Sequence, residues 1–450
     1  MTDQRFHRFR CAAAWIDDEV SGPVDISVAD GFIVALQPAD AGAVGSGTAL
    51  ADGGAETLPG LVFPGFADAH SHLFHRALRG RTHCPASAAG SFWTWRETMY
   101  ALAARMDPDR LHRLAVAVYT ELVCAGYTAV GEFHYLHHGP GGRLYDDPNA
   151  MGLAIAAAGA EAGIAVTLLD AAYLAGGFAQ PLSEVQQRFS DGTIGAWADR
   201  VAALPGTVRT GVAVHSVRAV PARDLPAVAA AAADRVLHVH LSEQAAENVA
   251  CVAATGMTPT ALLDRAGVLG HRTSAVHATH LSAGDICRLA GAGVTAVICP
   301  TTEADLADGL PAIGALVSAG VPLACGGDQQ VCVDPFAQAR GLEYGERLAT
   351  GRRGTLPPAD LVRAATVRSH RSIDSPAGRI AVGAPADLVA VRTDSARTAG
   401  SDRAQLVMSA SAADVAVVVI GGKVVARDGV HQRLGDPGAL LSSAVVGAWR

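Results

Sequence analysis

Eight short apolar runs, rich in alanine and β-branched residues, recur through the middle of the chain, separated by helical stretches with polar faces. In order they read LVFPGFADAH, YTAVGEFHY, IAVTLLDAAYL, RTGVAVHSV, RVLHVHLSE, SAVHATHL, GVTAVICPTT and VPLACGGDQ. Strands that alternate with helices form right-handed βαβ units around a parallel sheet. Eight such units predict a (β/α)₈ TIM-type barrel, and 450 residues leave room for one further small domain.

The two chain ends resemble each other and differ from the middle. Both contain short alternating runs, such as VDISVADGFIVAL and DVAVVVIGGKVVARDG, which are broken by Gly, Asp and Pro. Since neither end has enough strands for a sheet of its own, we expect residues 1–60 and 372–450 to form one composite β-sandwich domain. The barrel then spans 61–371. The long segment after the first run contains SFWTWRETMY and predicts a lid over an active site.

Composition excludes several classes of protein. Half of the residues are hydrophobic and 17% are charged, which is typical of a packed globular chain. The net charge is −8 and no basic run is present, so nucleic acid and anionic membrane are not expected as partners. The cysteines show no C-x-x-C spacing, and no apolar leader or apolar stretch of membrane-spanning length is seen. We therefore expect a cytoplasmic protein.

The chain contains a single lysine, Lys423. It lies in VIGGKVVARDG, a predicted strand near the C-terminus. Schiff-base enzymes, pyridoxal-phosphate enzymes and P-loop NTPases need a lysine in the active site. These classes, and two-metal sites bridged by a modified lysine, are therefore excluded.

Histidines and carboxylates gather at the ends of the predicted strands, where the active site of such a barrel lies. The first run ends in His70-Ser71-His72, and residues i and i+2 of a strand point to the same side. A third imidazole from a later strand and a carboxylate such as Asp328 would complete a nitrogen and oxygen shell that suits Zn²⁺. The alternative reading of H-x-H is a hydrogen-bonded pair.

Several longer motifs carry a resemblance to a known family. PGFADAHSH, HVHLSE, HATH and GGD resemble motifs of the amidohydrolase superfamily. Within it, SFWTWRETMY, GYTAVGEFHYLHH, HSVRAVP, HLSEQAAE, VHATHL and CPTTEADLADG resemble the formimidoylglutamate deiminases of histidine degradation. The resemblance runs from about Leu61 to Arg347.

The resemblance also implies the site residues. The metal, one Zn²⁺ with iron as the alternative, would be held by His70, His72, His240 and Asp328. The catalytic groups would be Glu243, His277 and Asp328. The substrate would be held by His75, Arg96, Tyr135, His215 and Arg218. Arg96 also fits a helix-surface cation paired with Glu97 or Glu121.

The implied reaction is hydrolysis of N-formimino-L-glutamate to N-formyl-L-glutamate and ammonia. Zinc lowers the pKa of the water that it binds towards 7. Asp328 would accept the proton of the attacking water, and Glu243 would pair with the cationic nitrogen and protonate the leaving ammonia. Arginine forks suit the two carboxylates of this dicarboxylate amidine. We expect a homodimer, although no motif sets the oligomeric state.

Two positions depart from the family pattern. His75 stands where glutamine often follows the phenylalanine, and the eighth run reads Gly327-Asp328-Gln329-Gln330 instead of Ser-Asp-Ser-His. The metal-binding aspartate is kept while its neighbours differ. A related deiminase acting on another formimino or guanidino acid is therefore the competing hypothesis, and a non-catalytic scaffold of the same fold is a third.

Overall fold

The computed structural model describes residues 7–39, 54–82 and 92–450. Residues 1–6 and 40–53 of the predicted small domain lie outside the described residues, as does Ser91 of the predicted lid.

Short strands form the N-terminal part of the described chain. They are β1 (His7–Cys11), β2 (Ala14–Ile16), β3 (Glu19–Ser21), β4 (Val24–Ala29), β5 (Phe32–Pro38), β6 (Glu56–Leu58) and β7 (Leu61–Pro64). The first apolar run of the sequence therefore begins with β7, which is not a barrel strand, because it pairs in the sheets of the chain ends.

The eight predicted runs supply the eight strands of one parallel sheet. These are β8 (Phe66–Ser71), β9 (Tyr127–His134), β10 (Ala165–Ala172), β11 (Thr210–Val214), β12 (Leu237–Leu241), β13 (Thr273–His277), β14 (Thr295–Ile298) and β15 (Leu323–Cys325). Each strand pairs with the next one along the chain. Asp328, just after β15, bridges to Ser71 at the end of β8, so the first and last strands meet. The predicted TIM-type barrel is confirmed.

Helices lie between and after the barrel strands. They are α1 (Phe92–Ala103), α2 (Pro108–Cys124), α3 (Ala150–Ala162), α4 (Ile194–Ala202), α5 (Leu225–Ala232), α6 (Ala245–Thr255), α7 (Pro259–Arg265), α8 (Ala283–Ala292), α9 (Pro300–Leu306), α10 (Ile313–Ser318), α11 (Pro335–Thr350), α12 (Pro358–Arg363), α13 (Ser369–Ser372) and α14 (Pro437–Trp449). α2 begins as the sequence indicates, since the Asp107 side chain accepts the Arg110 N–H at 2.8 Å and Pro108 takes the first helical position.

The barrel interior is filled by small apolar side chains, including Ala67, Ala69, Ala129 and Val297. Towards the amino ends of the strands the interior is closed by the segment after α13, where Ile373 is fully buried. His238 Nε2 donates to the Ser372 carbonyl at 2.8 Å in this lower layer. The polar side chains that could react with a ligand therefore lie at the carboxyl ends of the strands.

The chain ends form a β-sandwich, as predicted. Its C-terminal strands are β16 (Leu388–Val391), β17 (Val415–Ile420), β18 (Lys423–Arg427) and β19 (Val430–His431). One sheet has the order β5-β4-β1-β6, and the other has the order β19-β18-β17-β16-β7-β2-β3. Buried side chains from both sheets, among them Phe9, Ile26, Val62 and Val417, make one apolar core. Among the described residues, no helix has the length and apolarity needed to cross a membrane.

Candidate active site

Four side chains from different parts of the barrel converge at the carboxyl ends of its strands. The Nε2 atom of His240, at the end of β12, lies 3.1 Å from Nε2 of His70 and 3.2 Å from Nε2 of His72. The Asp328 carboxylate lies 3.7 Å from His70 Nε2 and 3.5 Å from His72 Nε2. Ligand atoms of a tetrahedral zinc site, each at roughly 2.1 Å from the ion, are about 3.4 Å apart. The four predicted metal ligands therefore have the spacing that such a site requires.

The tautomers of two of these imidazoles test whether a cation fits. His72 Nδ1 lies 2.9 Å from the Phe133 carbonyl, and His240 Nδ1 lies 2.8 Å from the His215 carbonyl. A carbonyl only accepts, so both rings carry their proton on Nδ1 and present a lone pair at Nε2. Two lone pairs thus face each other at 3.2 Å, an arrangement that a bound cation stabilises. The residues present fit a metal ion.

Burial keeps these histidines neutral. It lowers the pKa of His72 to about 3, and it holds the pKa values of His70 and His240 well below their usual range. The other imidazoles close by lower them further. Neutral imidazole is the form that ligates a metal at neutral pH.

The backbone fixes Asp328 beside the histidine pair. Its N–H donates to the His70 carbonyl at 2.7 Å, and its carbonyl accepts the His72 N–H at 2.8 Å. The φ of Asp328 is +50°, in the left-handed region that few non-glycine residues adopt. Burial raises the pKa of this carboxyl to about 7, and Glu243 and Glu303 raise it too, while His277 opposes them.

Glu243 and His277 lie next to Asp328. Glu243 follows β12, and its Oε1 is 3.9 Å from His277 Nε2. His277 ends β13, and its Nε2 is 3.8 Å from Asp328 Oδ2. Burial lowers the pKa of His277, but the carboxylates of Glu243, Glu303 and Asp328 outweigh it and raise the value to about 10. His277 also belongs, with His70 and His240, to a group of side chains with atoms close enough to hold a metal ion.

A cavity opens at these groups. It is lined by His72, His240, Glu243, His277 and Asp328, and also by every side chain predicted to hold substrate, namely His75, Arg96, Tyr135, His215 and Arg218. His70 is the one predicted site residue that does not line it, because it is fully buried behind the others. The structure therefore brings the whole predicted set together.

The two arginines enter the cavity from different elements. Arg218 follows β11, and its Nε donates to Oε2 of the buried Glu247 at 2.7 Å. In the described part of the chain its two Nη groups have no hydrogen-bond partner, so they remain available as donors. Arg96 belongs to α1, with its guanidinium carbon 5.6 Å from the centroid of the Tyr100 ring. Two guanidinium groups thus share a cavity with the metal-ligand cluster.

His75 and Tyr135 form a pair on the same wall. His75 Nε2 and the Tyr135 hydroxyl share a hydrogen bond of 2.9 Å, and the His75 ring lies edge-on to Trp95. His75 packs against the metal-side imidazole of His72, with ring centroids 4.8 Å apart. His75 therefore faces the cavity, as predicted for a residue that contacts substrate.

Some lining residues were not predicted from the sequence. They are Trp95, Met99, Tyr100, Tyr173, Phe189, Leu306 and Gln329. Gln329 directly follows Asp328, and its side-chain amide donates to Asp305 Oδ2 at 3.1 Å. Gln329 could have been predicted to line the cavity, because it directly follows Asp328 at a strand end. Tyr173 and Phe189 follow β10, and no spacing pattern in the sequence marks them as cavity residues.

A second group of histidines does not reach the cavity. His138 Nε2 lies 2.9 Å from Asp191 Oδ1, and His137 Nε2 donates to the Ala171 carbonyl at 3.0 Å. Arg200 pairs with both Asp170 and Asp191 at 2.8 Å. This buried network joins the segments after β9 and β10 to α4.

Sequence comparison identifies the family of this chain and individual relatives. The model of the family described as "Amidohydrolase family" matches residues 61–425. The formimidoylglutamate deiminase of Pseudomonas aeruginosa is 35% identical over 421 residues, which is 90% of each chain. The 8-oxoguanine deaminase of the same organism is 30% identical over 394 residues, 85% of each chain.

Solved structures agree with the fold. A crystal structure of an amidohydrolase from Brucella melitensis is 29% identical and superposes with a TM-score of 0.87, covering 99% of this chain and 100% of that one. A zinc-bound adenosine deaminase from Xanthomonas campestris, 24% identical, has a TM-score of 0.80 over 98% of this chain and 97% of that one.

Proposed function

The chain belongs to the amidohydrolase family and is a hydrolase of C–N bonds, and from this we propose that it hydrolyses N-formimino-L-glutamate to N-formyl-L-glutamate and ammonia. This reaction would place it in histidine degradation. The observation that carries the proposal is the sharing of one cavity by Arg96, Arg218, Glu243 and the metal-ligand cluster. A dicarboxylate amidine needs two cationic contacts and a carboxylate that faces its amidinium group.

The proposed metal is one Zn²⁺, held by His70, His72, His240 and Asp328. Three imidazoles and a carboxylate are a donor set that suits zinc, and the opposed lone pairs of His72 and His240 call for a cation between them. When bound, zinc supplies a Lewis acid that makes water acidic enough to react near neutral pH.

Asp328 handles the proton of the attacking water. Its carboxylate lines the cavity, and its backbone is fixed on both sides by the His70 and His72 peptide groups. Such a carboxylate can orient a water molecule and accept its proton without moving. His277, with Nε2 3.8 Å from the same carboxylate, stabilises the attacking oxygen as that oxygen bonds to the formimino carbon.

Glu243 handles the amidine. Its carboxylate lines the cavity within 3.9 Å of His277, so it can pair with a cationic nitrogen of the formimino group. The charge of that group already makes its carbon electrophilic. Glu243 then takes up a proton that the attacking water has released and passes it to the nitrogen, which leaves as ammonia.

The remaining residues bind the two carboxylates. Arg218, anchored through Nε by Glu247, offers its Nη groups, and Arg96 approaches from α1. An arginine fork binds a carboxylate through two parallel hydrogen bonds. Tyr135, His75 and His215 supply polar groups beside them.

A second candidate is deimination of another formimino or guanidino acid. It is favoured by Gln329, whose amide lines the cavity one residue after Asp328, where the family pattern has serine. The amide is tethered through its nitrogen to Asp305, so its oxygen is left as an acceptor for a further N–H of the substrate. The non-catalytic scaffold is not retained, because the full ligand set converges and the relatives are enzymes.

An ammonia-release assay with zinc-loaded protein tests the proposal. The panel comprises the N-formimino derivatives of L-glutamate, L-aspartate and glycine, a guanidino acid, and a neutral formamidine. The highest kcat/KM is expected for N-formimino-L-glutamate, and the Asp328→Ala variant serves as the control for contaminating activity. Turnover of the guanidino acid or a shorter formimino acid in its place would establish the second candidate. The homodimer and the cytoplasmic location stay predictions.

A further inference from the structure

Glu303 is a buried carboxylate on the far side of His277 from the cavity. It is 3% exposed and does not line the cavity. Its Oε1 lies 3.4 Å from His277 Nδ1, whereas Nε2 of the same ring faces Glu243 and Asp328. One nitrogen of the imidazole, Nε2, therefore faces the reacting groups, and the other, Nδ1, faces Glu303.

The position of Glu303 is fixed from two directions. Its Oε1 accepts the Cys299 N–H at 2.9 Å, and its own N–H donates to the Cys299 carbonyl at 2.9 Å. Cys299 is fully buried, and a Cβ added at Gly326 would lie 2.8 Å from its sulfur, so this part of the barrel wall is closely packed. The carboxylate cannot turn away from His277 without losing its hydrogen bond from the Cys299 N–H.

The backbone of His277 has an uncommon conformation next to Glu303. The φ of His277 is +67° and that of Ala278 is +52°, both in the left-handed region. The Ala278 N–H donates at 2.9 Å to the carbonyl of Val276, two residues back, so β13 ends in a tight turn centred on His277. Consecutive residues in this region persist where the surrounding structure enforces them, as at functional sites.

We propose that Glu303 is a positioning residue for His277, accepting the Nδ1–H of the ring and so directing Nε2 into the cavity. With its Nδ1–H held by Glu303, the ring presents Nε2 to the cavity, where a proton can be exchanged with the reacting groups. The negative charge of Glu303 stabilises the ring while it carries both protons. The inference rests on the proposed function in that His277 acts in the deimination.

The same residues include a second donor set, because His277, Cys299 and Glu303 are close enough to hold a metal ion. Glu303 Oε1 is already bonded to the Cys299 N–H, and the cysteine sulfur is packed against Gly326. A second metal ion per chain, lost on substitution of Cys299, would overturn the positioning role.

A double-mutant cycle tests the role through turnover of whichever amidine the panel identifies as the best substrate. In the zinc-loaded enzyme, Glu303→Gln should lower kcat by roughly 100-fold or more, the usual size of a proton-transfer contribution. The KM should change by less than about threefold, since Glu303 does not touch substrate. In a His277→Ala background the same substitution should have almost no effect, because the two residues act as a unit.

Glu343→Gln is the matched control. Glu343 is a fully buried carboxylate in α11 that accepts the N–H groups of Gly354 and Leu356, far from the cavity. The Glu343→Gln variant should have a lower free energy of unfolding than the wild type but the same kcat. Equal losses from Glu303→Gln with and without His277, or a raised KM with kcat retained, would show a structural role alone and overturn the proposal.

A spectroscopic measurement needs no substrate and is therefore independent of the proposed function. Proton NMR of zinc-loaded, ¹⁵N-histidine-labelled protein should show a downfield Nδ1–H resonance that is missing in His277→Ala. It should also be missing or moved upfield in Glu303→Gln. If that variant does not fold, the wild-type spectrum still decides, because a His277 protonated only at Nε2 contradicts the proposal.

Discussion

The side-chain amide of Gln330 donates a hydrogen bond of 2.6 Å to Oδ2 of Asp68, a buried residue two positions before His70. The same amide reaches the Ser71 hydroxyl at 3.1 Å. A Cβ at Gly327 would lie 2.7 Å from Gln330 Oε1 and 2.8 Å from Asp68 Oδ2. Gly327 and Gln330 are thus sterically coupled, and both lie outside the cavity that Gln329 lines.

The coupling predicts a clash in a single variant. Gly327→Ser should destabilise the protein by about 1–3 kcal/mol, because the new side chain overpacks a site filled by Gln330. Gly327→Ser combined with Gln330→His, a change that removes the amide next to the new side chain, should recover at least about 1 kcal/mol of this loss. Chemical denaturation measures both. Gly206→Ser is the control, since a Cβ there meets nothing within 4 Å; equal stability of the two serine variants would refute the coupling.

The barrel, and the closeness of the side chains proposed to hold the metal, were predictable from the sequence for local reasons. A strand buried on both faces leaves an apolar run, and all eight runs became strands. His70 and His72 share a side because strands have a two-residue period, which places both imidazoles at one point. The division of LVFPGFADAH into β7 and β8 was not predictable, because both halves are apolar and β7 pairs with β16, more than 300 residues away.

The orientation of side chains beyond the strand ends was not predictable either. Asp328 and Gln330 have φ values of +50° and +56°, and these turns send Gln329 into the cavity and Gln330 away from it. The sequence GGDQQ does not show which of the two glutamine side chains points into the cavity. Glu303 was not predicted as a site residue for a similar reason. It contacts His277 at the end of β13, where the backbone is left-handed and no sequence pattern marks the turn.

Loss of metal should follow from substitution of a ligand and not of its neighbour. His240→Ala should lower the bound metal to well below one ion per chain, and it should abolish the fall in Tm that a chelator causes in the wild type. His238→Ala is the control, because His238 lies two residues earlier on β12 and bonds the Ser372 carbonyl in the lower layer. It should be less stable but keep its metal. Metal loss in His238→Ala and not in His240→Ala would contradict the assigned ligands.

Arg218 should discriminate substrates by charge. Arg218→Lys keeps a cation beside Glu247 but loses the planar fork, so the KM for N-formimino-L-glutamate should rise roughly 10-fold or more. The kcat/KM for a neutral formamidine should stay within about threefold of the wild type, since it has no carboxylate to lose contact with. Steady-state ammonia release measures both. An equal loss with the neutral substrate would show that Arg218 does not bind a carboxylate.

The Asp191–Arg200 pair should make stability depend on acid pH. Arg200 donates to Asp191 at 2.8 and 3.0 Å. Burial opposes ionisation of Asp191, but His138 and Arg200 outweigh it and hold the pKa of this carboxyl below its usual range. Its contribution is therefore complete above the unfolded-state pKa of about 3.9 and is lost as the pH falls below that value. Urea unfolding between about pH 5 and pH 3 should show a steep loss of stability in the wild type and a shallower one in Asp191→Asn. Asp199→Asn, an exposed position one residue before Arg200, should keep the wild-type slope, and a slope unchanged in Asp191→Asn would contradict the assignment.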